Sequence, residues 1–408
     1  MKVTLGGVID TYRDAWYLPD AGAVEVVLAT VVANRMRGAP VWTLLVGPPG
    51  SGKTEALRLL NADQIPDGDG GRVAIADVFC VSTFTEAGLL SASPSRDPAA
   101  TGGLLAEIGS GPGVLVFRDL TTMLTKVGNR DHSLLDLLRE VHDGSYVRRA
   151  GSRGGRTFAW RGKAGALGAV TEEIDRHHNI VAAMGPRFLY WRMPRLNAAQ
   201  RLDQGRAALA TAGHEDATRS QLVTVTARFL GGIDVPDEAP PLPADVADRL
   251  LHASDVAAQA RSAVIRDPST HDVEAVDDPE ATTRMLAGLR LLYAAFVVIG
   301  ADEAEAWRVT AKLAWDSIPK PRRLALDVLW AQPVGVLTRT GLVADAIGLE
   351  FAPTKRALGD LAAHGLVERH SADHGEHQWS LAPWCHERLT AIGYQPLRPN
   401  LAVSGDTK

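Results

Sequence analysis

Cysteine is scarce in this chain. Only Cys80 and Cys385 occur in 408 residues, far apart, which excludes a disulfide framework and fits a reducing cytoplasm. An excess of one charge is also missing. Lys and Arg number 43 against 48 Asp and Glu, a formal net charge of −5, so any surface for nucleic acid must be local. Long apolar runs are absent too. The longest, such as Leu291 to Ile299, fall short of a bilayer's thickness, and MKVTLGGVIDTYRD lacks the apolar core of a signal peptide. There is no internal repeat and no low-complexity segment. These absences predict a cytoplasmic protein that makes no contact with membrane. The length predicts two or three globular domains.

What is present starts at residues 43–60, TLLVGPPGSGKTEALRLL. Gly47-Pro48-Pro49-Gly50-Ser51-Gly52-Lys53-Thr54 fits Gly-x-x-x-x-Gly-Lys-Ser/Thr at every fixed position. Glycines let backbone N–H groups turn inward around phosphate oxygens, and a helix N-terminus favours the same anion. Lys53 can reach the β and γ phosphates, and Thr54 can place its hydroxyl on Mg²⁺. The apolar run Trp42–Val46 before the loop reads as a fully buried strand. The chemistry implied is binding of ATP with Mg²⁺.

Further strands are predicted at 77–83, 113–119, 164–171 and 188–193, with helical patterns at 22–36 and 131–143. Strands alternating with helices predict an α/β fold, a parallel sheet with helices on both faces. The expected divisions are 1–195 for this core, 196–318 for a helical lid region, 319–390 for a third module and 391–408 for a loose tail. A proline-rich linker interrupts the helices at 234–243 and an acidic loop at 272–280.

A phosphate loop needs an acidic residue at the end of a neighbouring strand to hold Mg²⁺. Asp119, after Val114–Phe117, supplies it. Leu120 follows, where many such ATPases carry a water-activating glutamate. Glu86, Glu140 and Glu172 are the alternative bases, and slow hydrolysis is the other way to read the gap. Thr171 ends the fourth strand, where a polar side chain can orient the attacking water.

The order of strand, phosphate loop, Asp119, Thr171 and then Gly185-Pro186-Arg187-Phe188 before the fifth strand, followed by helices, resembles the AAA+ ATPases over about residues 22–318. The resemblance implies a homo-oligomer in which Arg187 reaches the nucleotide of a neighbouring subunit as an arginine finger. An ion pair within its own subunit is the alternative. The resemblance also implies a second arginine from the lid. Arg284 is the candidate, with Arg219 and Arg228 in competition.

Residues 146–163, YVRRAGSRGGRTFAWRGK, combine Arg148, Arg149, Arg153, Arg156, Arg161 and Lys163 with Tyr146, Phe158 and Trp160 around a glycine-rich turn. This predicts a β-hairpin whose cations pair with phosphates and whose aromatics stack on bases. A solvated basic hairpin facing an acidic partner is the alternative. Residues 320–382 resemble a winged helix-turn-helix, with helices at 322–330, 340–347 and 353–364 and strands flanking HSADHGEH. Lys355 and Arg356, near the start of the third helix, are the candidate DNA contacts, although the module's charge is nearly balanced. His370, His374 and His377 read as a polar wing tip rather than a metal site.

The resulting expectation is an ATPase acting on single- or double-stranded DNA, similar to replication initiators, helicase loaders and helicase-like ATPases of phages and mobile elements. The alternatives are a nucleotide-switched DNA-binding regulator or scaffold with little turnover and a protein-remodelling ATPase. The last needs a hydrophobic pore loop, for which Phe84 is the nearest residue.

Overall fold

The computed structural model describes residues 2–61, 75–81, 88–89, 103–121, 133–150, 156–176, 178, 187–267, 269, 273–276, 278–371 and 377–396. Phe84, Glu86, Arg153, Gly185, Pro186 and His374 lie outside the described residues. Two compact units divide the chain. The first comprises residues 1–177, 187–241 and 290–310, and the second 178–186, 242–289 and 311–408. The helices of 196–318 are thus shared between the two units.

In the first unit, α1 (Leu5–Ala15) and α2 (Gly22–Arg35) precede β1 (Trp42–Val46), α3 (Lys53–Arg58), β2 (Val78–Val81), α4 (Leu104–Ile108) and β3 (Pro112–Phe117). There follow α5 (Ser133–His142), the hairpin β4 (Ser145–Ala150) and β5 (Arg156–Arg161), β6 (Lys163–Val170) and β7 (Phe188–Arg192). Helices α6 (Ala198–Thr211) and α7 (Glu215–Gly231) complete the run. The sheet order is β2-β3-β6-β1-β7, and every neighbouring pair is parallel. Helices and an all-parallel sheet make this unit α/β, as the alternating pattern predicts.

Helix α2 is buried on all sides, from Gly22 to Asn34, and mostly apolar as such a helix must be. Its penultimate residue, Asn34, closes the loop into β1. The Asn34 amide donates to Thr30 O and Val41 O and accepts from Val41 N, at 2.8, 3.0 and 2.9 Å. Gly165 on β6 makes room for that amide, since a Cβ there would lie 2.2 Å from Asn34 Nδ2. β1 is buried end to end and β6 from Ala164 to Val170, as central strands of a covered parallel sheet must be.

In the second unit, α8 (Ala244–Ala260) leads to a short antiparallel pair, β8 (Ile265–Arg266) and β9 (Val273–Ala275). Helices α9 (Thr282–Ile299) and α10 (Glu303–Asp316) contribute residues to both units. At 18 residues and a mean hydropathy of 1.4, α9 is long and apolar enough to cross a membrane, and half of it is buried inside the fold. It is longer than the apolar run Leu291–Ile299 implied, because it starts at the polar Thr282-Thr283-Arg284.

The C-terminal part holds α11 (Lys320–Trp330), β10 (Thr338–Arg339), α12 (Thr340–Ile347), α13 (Phe351–Ala363), β11 (Val367–Ser371), β12 (His377–Leu381) and α14 (Pro383–Ala391). The strands form an antiparallel sheet in the order β10-β12-β11. Just after α14, Ile392 and Tyr394 are buried and the Tyr394 hydroxyl donates to Asp327 at 2.5 Å.

Candidate nucleotide-binding site

The parallel order brings the C-terminal ends of β3, β6 and β1 side by side, and the candidate residues leave the sheet there. The 47–54 loop turns through Gly50 and Gly52, at φ +77° and +85°, a region that side chains with a Cβ rarely enter. Lys53 opens α3 and is buried. Its Nζ donates to Gly47 O at 2.7 Å, Pro48 O at 2.6 Å and Ser51 Oγ at 3.2 Å. Burial pushes its pKa below the ordinary 10.5, against the opposing charges of Asp119 and Glu172.

Asp119 lies exposed just past β3 and accepts from Thr121 N at 2.9 Å. Thr121 Oγ1 in turn accepts from Thr171 N, just past β6, at 3.0 Å. Leu120 N donates to Ala169 O at 2.9 Å. These bonds clip the segment after β3 to the end of β6 and fix Asp119 and Thr171 on one side of the loop.

A cleft of about 720 Å³ opens over this arrangement. Pro49 to Thr54, Asp119 and Thr171 line it. Tyr12 of α1, Trp16 and Tyr17 just after it, Arg118, and Arg201 and Gln204 of α6 also line it. Gln204 Nε2 donates to Gly50 O at 3.1 Å. The sequence reading did not include these. The spacing of four between Tyr12, on α1, and Trp16, its C-terminal cap, was the available signal; their rings lie 5.7 Å apart. The lining therefore combines aromatic, cationic and acidic side chains, a set suited to a ligand with a flat ring and a polyphosphate.

No protein-family model and no curated protein matches the chain. Among solved structures, it is similar to one titled "SCCmec type IV Cch - active helicase", at 11% identity and a TM-score of 0.34, over 96% of this chain and 72% of that one.

Of the glutamates considered as bases, Glu172 follows Thr171 and acts on the charge of Lys53, while Glu140 is exposed on α5. Arg187 does not line the cleft. It precedes Phe188, which pairs with Trp42 at the start of β1, so it stands at the opposite end of the sheet. There it pairs with Asp143 at 3.0 Å. Of the lid arginines, Arg219 of α7 reaches Glu55 on α3, at 3.2 and 3.3 Å. Arg228 is exposed on α7, and Arg284 is exposed in the second unit.

The basic hairpin forms as β4 and β5, in the register Ser145↔Arg161 to Ala150↔Arg156. Arg148 is exposed. Arg149 and Arg156 lie in the paired strands. Trp160 is buried and donates from Nε1 to Gly109 O at 2.8 Å, so this aromatic anchors the hairpin's base and is withdrawn from any ligand. In the second unit, Lys355 and Arg356 are exposed on α13. His370 meets Ser380 Oγ at 3.1 Å. Among the described residues no group of three or more His, Cys, Asp or Glu is placed to hold a metal ion.

Proposed function

We propose that the chain binds and hydrolyses ATP with Mg²⁺ in the cleft over the 47–54 loop, as an AAA+ type P-loop ATPase acting on DNA. One observation carries this reading: Lys53, Thr54, Asp119 and Thr171 leave adjacent parallel strands and line a single cleft. Backbone N–H groups of the loop would cradle the phosphates, and Lys53 would exchange the carbonyls of Gly47 and Pro48 for β and γ oxygens. Trp16 and Tyr17 would receive the base by stacking. Thr171 would orient the attacking water.

A hydroxyl and a carboxylate, Thr54 and Asp119, are the sparse oxygen set that suits Mg²⁺ beside phosphates and water. When bound, the ion neutralises charge on the phosphoryl oxygens.

DNA would be met by the β4–β5 hairpin through Arg148, Arg149, Arg153 and Arg156, and by a C-terminal winged helix through Lys355 and Arg356. Three helices and the β10-β12-β11 sheet support that name for the C-terminal module. Assembly of several copies follows from the resemblance. The ion pair of Arg187 with Asp143 supports a role within its own chain rather than at a neighbour's nucleotide.

A second reading is a nucleotide switch with little turnover. It is favoured by Leu120, which is buried where a water-activating glutamate would stand. ATP hydrolysis with and without single- and double-stranded DNA, alongside Lys53→Ala and Asp119→Asn, separates the two. DNA-stimulated turnover lost in both variants supports the motor. Nucleotide binding without turnover, with DNA affinity still responding to ATP, supports the switch. Turnover indifferent to DNA removes nucleic acid as the hairpin's ligand.

A further inference from the structure

Between Gly22 and Asn34, the buried body of α2 carries one charged residue, Glu25. It is 4% exposed, and its Oε2 is buried without a hydrogen-bond partner. The charged groups that act on it come from two other segments. Asp20 lies just before α2, and Glu305 and Arg308 lie one turn apart on α10. Arg308 donates from Nε and Nη2 to Glu305 at 2.7 and 2.6 Å, and from Nη2 to Asp20 at 3.0 Å. Asp20 also accepts from Gly22 N, at the start of α2, at 2.9 Å. All four residues belong to the first unit, whereas α10 continues beyond residue 310 into the second.

Three carboxyl groups thus share one guanidinium. Glu305 and Asp20 already divide that cation between them. An ionised Glu25 would be a buried anion with no counter-ion of its own, which a protein interior disfavours. A neutral Glu25 avoids this. It can donate its proton toward the Glu305 carboxylate, and its unpartnered oxygen then carries no charge. Its pKa reflects the same balance. Burial first, then the hydrogen bond and charge of Glu305 and the charge of Asp20, push it from 4.5 up to about 8, against the pull of Arg308. Glu305 is moved the opposite way, chiefly by its hydrogen bond from Arg308, so the proton resides on Glu25.

We propose that Asp20, Glu25, Glu305 and Arg308 form a proton-dependent clasp, which fastens residues 303–310 of α10 to α2 while Glu25 is neutral and loosens as its proton is lost. Closing the clasp takes up a proton, because Glu25 binds one more tightly there than in an open chain. Its contribution is therefore fully present below the ordinary value of 4.5 and is lost as pH rises through about 8. The clasp holds α10 just before the chain passes into the second unit, so it sets how firmly that connecting helix is tied to the nucleotide-binding unit. It is independent of what the cleft binds.

The test is amide hydrogen exchange of the full chain across pH, each rate divided by the intrinsic rate at that pH. Wild type is compared with Glu25→Gln, whose side chain has the shape of the neutral acid and does not titrate. In wild type, protection of residues 303–310 falls by up to about tenfold per pH unit as pH rises toward about 8, the slope for one proton, and then levels off. In Glu25→Gln the same amides show no such fall. Equal pH dependence in the two proteins overturns the proposal. So does a loss of protection spread evenly over the chain, which would mark Glu25 as a buried acid without a clasp. Glu305→Gln is the second variant should the first fold poorly. It keeps Glu25 but frees Arg308 to face it, so the pH dependence at residues 303–310 shrinks, and an unchanged slope there overturns the proposal too.

Discussion

Arg187 Nη2 donates to both carboxylate oxygens of Asp143, at 3.0 Å each. The two residues come from opposite sides of β4–β6 in sequence and meet at the end of the sheet remote from the 47–54 loop. The Arg187 side chain is 8% exposed, while that of Asp143 is 58% exposed. Partial burial pushes the Asp143 pKa up, but the hydrogen bond and charge of Arg187, with His142, outweigh it and hold the carboxyl below its usual 3.8.

A carboxyl depressed in the folded state stabilises above its unfolded pKa and ceases to as pH falls through the lowered value. Arg187→Ala and Asp143→Ala should therefore each lower the melting temperature at neutral pH, and their difference from wild type should vanish in strong acid. The double variant should be less destabilised than the sum, with a coupling of about 0.5–1 kcal/mol, the scale of part-exposed pairs. Thermal denaturation across pH checks this. If Arg187→Ala abolished turnover and left the melting temperature unchanged, with Asp143→Ala fully active, the arginine would belong to a neighbouring subunit's site.

Lys53 gives a prediction with the opposite pH sense. Its ammonium is disfavoured by burial and supported by the charges of Asp119 and Glu172. Phosphate binding needs the charged form, so nucleotide affinity should fall at alkaline pH, and earlier than the ordinary lysine value of 10.5 would imply. Glu172→Gln removes one supporting charge and should move that fall to still lower pH. Lys53→Ala should cost about 1.5–3 kcal/mol of nucleotide binding, or roughly 10- to 100-fold, as expected for charge-assisted bonds. Affinity measured from neutral to alkaline pH decides. An unchanged alkaline limb in Glu172→Gln would remove Glu172 from the site's electrostatics.

The core of this arrangement was legible in the residues for physical reasons. Buried parallel strands read as continuous apolar runs, and Trp42–Val46 and Val114–Phe117 have that form. Glycine-rich turns announce themselves because Gly50 and Gly52 adopt positive φ. The aromatic wall was not legible. Tyr12 and Trp16 stand four residues apart, a spacing that ordinary core packing also produces, and only the tertiary fold brings them into one cleft with the 47–54 loop. Arg201 and Gln204 were hidden for a related reason: α6 buries none of its side chains, so it has no apolar stripe to show which face meets the cleft. The residues that a local pattern could not rank were the arginines. Arg187, Arg219 and Arg284 differ in their partners, which lie 44 residues away for Arg187 and 164 for Arg219.

The C-terminal module yields the last prediction. Lys355 and Arg356 are exposed near the start of α13, but one turn later Asp360 is occupied. It accepts from Arg266 Nε at 3.0 Å and from Arg322 Nη2 at 3.0 Å, and Arg266 Nη2 reaches Arg356 O at 3.2 Å. Arg266 thus lies against α13 beside Gly359, which leaves the first turns of the helix as the part presented to a ligand. Two cations without further polar side chains beside them suit phosphates, which fix position without reading sequence. Lys355→Ala and Arg356→Ala should each weaken DNA binding evenly across sequences and reduce the slope of log affinity against log salt by ~1. Arg266→Ala should instead lower thermal stability, because it leaves Asp360 with Arg322 alone. Anisotropy titrations of unrelated duplexes over a range of salt concentrations measure the first effect. Slopes identical to wild type in both lysine and arginine variants would reassign the module to a protein partner, for which the exposed Phe351 at the same end of α13 is the available apolar contact.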